Sequence, residues 1–330
     1  MTPMATKSLT AIGLDIGGTT VVGAVVRDDG KILSRATIPT NSRSGIRDGL
    51  DRISALLRDL VAQARLQMTD VIGVGVGSTG SINTAEGCIH NPYTLPGWDD
   101  FPLGPHITET LGLSSYVLGD CDVAVLGEHW MGAGRGTRNM IYITVGTGIG
   151  SGIIINDALY RGAHSAACEF GHHTIDINGP ECYCGARGCI EVVCSGPAIA
   201  KLAVEAAKRN PSTLMRTLAQ QVDTEITARQ VCEAAGAGDA EAQAIVRFIG
   251  NYFGEGLANV MNMIAPECVV LGGGVMQSFD LFAPYFGPIM QRRESVVKLT
   301  RIPILPAALK LNAGVMGAAR AMFLQIGLAK

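Results

Sequence analysis

Extended runs of lysine and arginine are missing from this 330-residue chain, whose formal net charge is −3. A protein that tracks a phosphate backbone needs clustered positive charge, so the sequence predicts no nucleic-acid partner. Long apolar runs are missing as well, because segments such as 140–145 and 153–155 are short and bounded by glycine. We therefore expect no membrane span. The first residues lack a small-residue cleavage site, and we expect no signal peptide.

Cysteine is present, but it does not form the pattern of a disulfide framework. The chain has nine cysteines, an odd number, of which three stand close together while the others are scattered. Scattered thiols are typical of a reduced protein in the cytosol. The sequence therefore predicts a cytoplasmic location.

Short apolar segments alternate with segments of helical spacing along most of the chain. Strands are predicted at 10–16, 21–26, 31–38, 71–76, 115–118, 139–145, 151–155, 268–271 and 302–305. Helices are predicted at 45–67, 103–111, 123–131, 196–208, 226–235, 240–263 and 314–324. Residues 83–98 are predicted to form a loop, and Pro303 confines the last strand to a sheet edge. This alternation indicates an α/β fold with a mixed sheet.

The length and composition predict more than one domain. With 330 residues and 47% hydrophobic content, the chain buries a large core and is expected to divide into two domains. A unit of strand, glycine turn and strand occurs at 10–26 and again at 139–155. We interpret this recurrence as a weak internal duplication of one fold unit.

Three cysteines at a C-x-C-x4-C spacing mark the segment that is richest in candidate functional side chains. Cys182, Cys184 and Cys189 follow His172 by a short loop. Three thiolates and one imidazole suit tetrahedral Zn²⁺. The alternative is a reduced loop whose cysteines act as small apolar residues. Glycines between three closely spaced cysteines favour the metal, and we predict a structural zinc site.

Carboxylates lie on both sides of this cluster. Glu169 precedes His172 by three positions, and Glu191 follows Cys189 by two. A metal bound in the loop would fix these side chains in space. The segment therefore predicts a polar pocket lined by Glu169, His172 and Glu191, although Glu191 alone could also cap a helix or form a salt bridge.

Glycine turns directly follow three of the apolar strands. Backbone N–H groups approach phosphate closely where side chains are absent, and a nearby carboxylate can hold Mg²⁺. The third turn favours a nucleotide over polyphosphate as donor, and none of the turns matches the Walker or Rossmann pattern. The predicted phosphate-binding residues are Asp15, Gly17, Gly18, Thr19, Thr20, Gly146, Thr147, Gly148, Gly150, Gly272, Gly273 and Gly274.

Asp120 is the best candidate for a general base, because it stands between a predicted strand and a predicted helix. The helix dipole would stabilise its ionised form at that position. In phosphoryl transfer one carboxylate accepts the proton of the attacking hydroxyl. The alternative role for Asp120 is a helix N-cap, for which Asp122 is the better candidate.

Five motifs together resemble one known family, the ROK family of repressors, open reading frames and kinases. They are DIGGTT, VGTGIGSG, EFGH, CYCGARGCIE and LGGGV, and the resemblance covers nearly the whole chain. It implies that Asp120 is the catalytic base and that Glu169, His172 and Glu191 bind sugar hydroxyls. It also implies that Gly80, Thr94, Gly119 and Asp120 border the sugar, and that His172, Cys182, Cys184 and Cys189 hold zinc.

The resemblance further implies a two-lobed actin-like ATPase fold with ribonuclease H-like repeats, whose lobes close over sugar and Mg-ATP. The expected division is a small lobe of residues 1–121 plus 312–330 and a large lobe of residues 122–311 that carries the zinc motif. The expected activity is ATP-dependent phosphorylation of a hexose hydroxyl, with C6 of glucose as the leading acceptor. A homodimer or homotetramer is expected.

Two positions depart from the family pattern. Its kinases usually carry asparagine where this chain has Gly119 and Thr94. Both asparagines normally bond sugar hydroxyls, and polar contacts of this kind discriminate strongly between substrates. The alternatives to glucose are therefore N-acetylmannosamine, N-acetylglucosamine, mannose, fructose and allose. Alternatives of another class are a non-catalytic sugar sensor and a repressor lacking its DNA-binding domain.

Overall fold

A computed structural model describes residues 8–90 and 94–328. The strands are β1 (Thr10–Ile16), β2 (Thr20–Arg27), β3 (Ile32–Pro39), β4 (Val71–Ser78), β5 (Ser81–Asn83), β6 (Cys88–His90), β7 (Ser115–Gly119), β8 (Met140–Val145), β9 (Ile149–Ile155), β10 (Ala158–Tyr160), β11 (Cys268–Gly272) and β12 (Ile304–Pro306). The helices are α1 (Ile46–Gln63), α2 (Leu103–Leu111), α3 (Asp120–Met131), α4 (Ile190–Cys194), α5 (Gly196–Arg209), α6 (Leu214–Gln221), α7 (Ala228–Gly236), α8 (Ala240–Ile264), α9 (Phe279–Arg293) and α10 (Ala313–Gln325).

The predicted α/β architecture is confirmed, and the strands form two five-stranded sheets. The first sheet has the order β3-β2-β1-β4-β7, and the second has the order β10-β9-β8-β11-β12. In the first sheet β1 pairs antiparallel with β2 and parallel with β4. In the second sheet β11 pairs parallel with β8 and with β12. The matching strand orders support the duplication predicted at 10–26 and 139–155.

Several short elements differ from the prediction. Segment 83–98 was expected to be a loop, but β5 and β6 form a small antiparallel pair there, and its residues 91–93 lie outside the described residues. Strand β10 and helices α4, α6 and α9 were not predicted. Three-residue strands are too short to show a period, and Pro284 and Pro288 inside α9 argued against a helix. Strand β12 does lie at a sheet edge, as Pro303 indicated.

Helix α10 packs against the first sheet and α3 at backbone distance. A Cβ atom at Gly13 of β1 would lie 1.9 Å from the carbonyl oxygen of Val315, and one at Gly75 of β4 would lie 1.8 Å from that of Ala318. A Cβ at Gly317 would lie 1.5 Å from the carbonyl oxygen of Val123. Only glycine allows these approaches, and they place the start of α10 against the end of β1.

The chain divides into two compact units. Unit 1 comprises Met1–Gly136, Gly152–Ala167 and Ala308–Lys330, and unit 2 comprises Thr137–Ser151 and Cys168–Ala307. The predicted division, 1–121 plus 312–330 and 122–311, differs from this one. Helix α3 belongs to unit 1 because α10 packs directly on it through Gly317.

Within the part of the chain that is described, no helix combines the length and the apolar character needed to cross a membrane.

Candidate functional site

The carboxyl ends of three neighbouring strands lie side by side in the first sheet. Ile16 at the end of β1 is opposite Ser78 of β4, and Ser78 is opposite Gly119 at the end of β7. The residues that follow these ends therefore share one sheet edge, which is where open α/β sheets bind ligands. This edge unites Asp120 with the first predicted phosphate turn, Gly17, Gly18, Thr19 and Thr20.

Two aspartates at this edge influence each other. Burial, and then the charge of Asp120, raises the pKa of Asp15 to about 7. Loss of hydration also raises the pKa of Asp120, outweighing the N–H of Cys121, which donates to its Oδ1 at 2.7 Å. Asp120 is surface-accessible in the first turn of α3, but the surrounding protein still displaces enough water to raise the pKa of its carboxyl group. Among the described residues, no cationic side chain lowers the pKa of either carboxyl group.

The start of α10 lies directly beside Asp15. A Cβ atom at Gly314 would lie 2.1 Å from Oδ2 of Asp15, so only glycine leaves room for that carboxylate. Sequence reasoning missed Gly314, although its spacing from Gly317 within a run of small residues was a visible signal.

Thr94 packs against the first glycine turn. A Cβ atom at Gly18 would lie 2.5 Å from the Cβ of Thr94, and the Thr94 hydroxyl lies 3.3 Å from that of Thr79. Thr79 is followed by Gly80, which has a φ of 96°. The structure therefore brings Thr94 and Gly80, two predicted sugar-side residues, into the same region of unit 1 as Asp15 and Gly119.

The second sheet aligns the other two glycine turns in the same way. Thr144, one residue before the end of β8, is opposite Gly272, the last residue of β11. Gly273 then has a φ of 88°, and a Cβ there would lie 2.4 Å from the carbonyl oxygen of Val145. The turn at Gly146, Thr147 and Gly148 therefore lies beside the turn at Gly273, and both present bare backbone.

Glu191 connects the second glycine turn to the metal loop. Its Oε2 accepts the backbone N–H of Ile149 at 2.7 Å. A Cβ atom at Gly148 would lie 2.6 Å from the same oxygen. Glu191 is therefore held by the β8–β9 turn, and its first-turn position in α4 places it next to Cys189.

The predicted metal ligands come together in unit 2. One donor atom from each of His172, Cys182, Cys184 and Cys189 lies within 4.8 Å of all the others. Nδ1 of His172 lies 3.6 Å from Sγ of Cys182, and Sγ of Cys184 lies 3.6 Å from that of Cys189. Three thiols and an imidazole in a compact group fit a four-coordinate metal with soft ligands.

The other ring nitrogen of His172 points away from the thiols. Its Nε2 lies 3.1 Å from the hydroxyl of Tyr183, a residue that sequence reasoning did not single out. Loss of hydration, followed by the charge of Glu191 and a hydrogen bond to it, raises the pKa of the Tyr183 phenol. Glu169 contributes to the same shift, so Glu169, His172 and Glu191 all influence this hydroxyl.

Asp122 does not cap α3. The helix begins at Asp120, its N-cap is Gly119, and Asp122 lies inside the first turn. The structure therefore removes the N-cap alternative for Asp120 and Asp122 alike.

The two sheets with helices around them define an α/β protein of the actin-like ATPase fold. The ROK family profile matches residues 11–325. The chain therefore belongs to the ROK family.

Several similar proteins of known activity are sugar kinases. The glucokinase of Halalkalibacterium halodurans is 37% identical over 287 residues, covering 86% of this chain and 85% of that protein. The N-acetylmannosamine kinase of Yersinia pseudotuberculosis is 32% identical over 308 residues, covering 93% and 96%. The ROK glucokinase of Streptomyces griseus, solved with glucose and AMPPNP, has 32% identity and a TM-score of 0.80, covering 94% and 98%. The predicted family and the class of sugar phosphotransferase are confirmed.

Proposed function

We propose that this chain phosphorylates a hexose hydroxyl with ATP and that Asp120 is the general base. The observation that carries the proposal is the position of Asp120 at the edge where β1, β4 and β7 end, beside Asp15 and the first glycine turn. C6 of glucose is the leading acceptor. N-acetylmannosamine is the main alternative, because a kinase for that sugar is among the similar proteins.

Asp120 would accept the proton of the sugar hydroxyl as that oxygen attacks the γ-phosphorus. A carboxylate whose pKa is raised is a stronger base than an ordinary aspartate, provided that it is ionised at the working pH. Loss of hydration raises the pKa of Asp120 in this way. The remaining task of the protein is to position and neutralise the reactants.

Asp15 would hold Mg²⁺. Its charged form is disfavoured by burial and by Asp120, so a cation at this position would relieve both effects. Mg²⁺ bound with ATP supplies positive charge that neutralises the phosphates. The glycine turns at Gly17–Gly18, Gly146–Gly148 and Gly272–Gly274 would donate backbone N–H groups to the phosphates.

Glu169, His172 and Glu191 would bind sugar hydroxyls, and the thiol cluster would hold a structural zinc ion. Nδ1 of His172 faces Cys182, which leaves Nε2 directed away from the cluster. Zinc on Nδ1 would fix the imidazole and keep the proton on Nε2, so that Nε2 donates to a hydroxyl. The metal would thus orient a sugar-binding residue without taking part in the reaction.

A coupled ADP-release assay over glucose, mannose, fructose, allose, N-acetylmannosamine and N-acetylglucosamine tests the proposal. We expect ATP-dependent turnover on one or a few of these sugars. Binding of a sugar by calorimetry with no ADP release on any of them would instead support the non-catalytic sensor. The cytoplasmic location and the homodimer or homotetramer stay predictions.

A further inference from the structure

Tyr183 stands between two cysteines of the candidate metal site, and its hydroxyl lies against two of the proposed sugar-binding side chains. The hydroxyl is 3.1 Å from Nε2 of His172 and hydrogen-bonds Glu191. The ring of Tyr183 meets the imidazole edge-on, with centroids 5.1 Å apart and an angle of 88°. Despite these contacts 63% of the residue is exposed.

The hydrogen bonds of this phenol are those that a sugar hydroxyl would make. If Nδ1 of His172 faces the metal, Nε2 carries the proton and donates to the phenol oxygen. The phenol proton is then free to be donated to the Glu191 carboxylate. A sugar hydroxyl has the same capacity to accept one hydrogen bond and donate another.

We propose that the Tyr183 hydroxyl occupies the place of a sugar hydroxyl on His172 and Glu191, so that an incoming sugar must displace it. This inference rests on the proposed sugar-binding role of those two residues. Tyr183 would then influence substrate affinity without being one of the catalytic groups.

The position of Tyr183 allows the displacement. The residue is largely exposed and precedes Cys184 and Gly185, and Gly185 has a φ of 92° in an open turn. Rotation of its side chain about χ1 would move the phenol into solvent while both neighbouring thiols stay in place. The cost of opening is then the loss of one or two hydrogen bonds by an exposed group.

A site that is occupied by its own side chain binds ligand more weakly, in proportion to the fraction of molecules in which it is open. Tyr183→Phe keeps the ring but removes the hydroxyl. We therefore expect this variant to lower KM and the dissociation constant for the sugar by roughly threefold to tenfold, which corresponds to one hydrogen bond. The value of kcat should stay near that of the wild type, because Asp120 is untouched.

The experiment compares wild type, Tyr183→Phe and Tyr252→Phe, using whichever of glucose and N-acetylmannosamine the wild type turns over. Tyr252 is the matched control, since it lies in unit 2 and its hydroxyl is 3.4 Å from Asp176. Steady-state kinetics and calorimetry give KM, kcat and the dissociation constant, and metal analysis checks that all three proteins carry equal zinc.

A lower KM and dissociation constant in Tyr183→Phe alone, with equal kcat and zinc, would support the inference. An unchanged or weaker affinity in Tyr183→Phe would overturn it and leave the proposed kinase activity intact. If neither sugar is bound or phosphorylated by any of the three proteins, the proposed function itself fails for these sugars, and the inference fails with it.

Discussion

In the first sheet β1 and β7 deliver Asp15 and Asp120, whereas the corresponding positions of the second sheet hold Thr144 and Ala307. The correspondence follows from the shared strand order and from the register. Asp15 is opposite Gly77 of β4, and Thr144 is opposite Gly272 of β11. Two sheets with the same strand order therefore end in residues of different chemical type.

Under the proposed function, the two strand ends would have different roles. Phosphate is an anion, so bare backbone N–H groups attract it, whereas a carboxylate beside its binding turn needs a cation to offset the repulsion. The second sheet presents glycine turns without a strand-end acid, and its acidic residue Glu191 comes from α4 and is already bonded to Ile149. The first sheet keeps the acids, and loss of hydration raises the pKa of both.

The largest effect should come from removing the proposed general base, Asp120. We expect Asp120→Asn to lower kcat by about 10²- to 10⁴-fold, because an amide cannot accept the proton. Sugar affinity should change little. Asp122→Asn, two residues further along the same helix, is the control and should keep near wild-type turnover. A kcat for Asp120→Asn close to that of wild type would exclude Asp120 as the base.

The next effect should come from the metal loop of unit 2. Cys189→Ser removes one of the four proposed ligands, and we expect stoichiometric zinc to be lost and kcat/KM to fall by about 10- to 100-fold. The loss should lie mainly in KM, because His172 loses its orientation. Cys88→Ser, a thiol in unit 1, should retain both zinc and activity. Equal zinc in wild type and Cys189→Ser, measured by elemental analysis, would contradict the proposed ligand set.

Local patterns predicted the main elements, and long-range contacts account for most of what they missed. Strand β1 appears at the predicted residues because it is a short apolar run followed by Gly17, and helix α2 does so because Gly112 ends it. The start of α10 beside Asp15 depends on packing between distant parts of the chain, which a single sequence does not show. The environment of the fully buried Glu128 also depends on distant parts of the chain. Its carboxylate accepts backbone N–H groups from Ala133, Ala308 and Leu309.

For the candidate site, motifs predicted which residues form each cluster but not how they are oriented. The four proposed metal ligands could be chosen because their spacing within one short segment favours their coming together. The contact of Tyr183 with His172 depends on which imidazole nitrogen faces the thiols, and spacing carries no such information. Helix α9 was missed because its two prolines outweigh its apolar residues in any local prediction.

The strand-end acid Asp15 should also make the effect of a substitution on Tm depend on pH in the first sheet but not in the second. The native state holds a proton on Asp15 up to about pH 7, whereas the unfolded chain releases it near 3.8. The native state therefore binds more protons between these values, and stability falls as pH rises through this window. We expect Asp15→Asn to raise Tm relative to wild type, with a difference that grows from pH 4 to about pH 7 and then stays constant.

Thr144→Val, at the corresponding position of the second sheet, is the control for this measurement. Neither threonine nor valine titrates, so its Tm difference from wild type should be independent of pH. Thermal unfolding in metal-free buffer at several pH values checks both variants. A constant difference for Asp15→Asn across the window would show that the pKa of Asp15 is not raised.

The smallest effect should come from Gly119, where the first sheet departs from the family pattern. A Cβ atom there would meet Oδ2 of Asp122 at 3.6 Å, an ordinary contact, and the φ of −66° suits any residue. Gly119→Asn should therefore fold normally and place an amide next to Asp120. We expect the ratio of kcat/KM for glucose to that for N-acetylmannosamine to rise by about twofold to tenfold, the worth of one hydrogen bond. Gly119→Ala adds the Cβ atom without the amide and should leave this ratio unchanged. An equal change of the ratio in both variants would mean that shape, rather than hydrogen bonding, sets the substrate preference at this position.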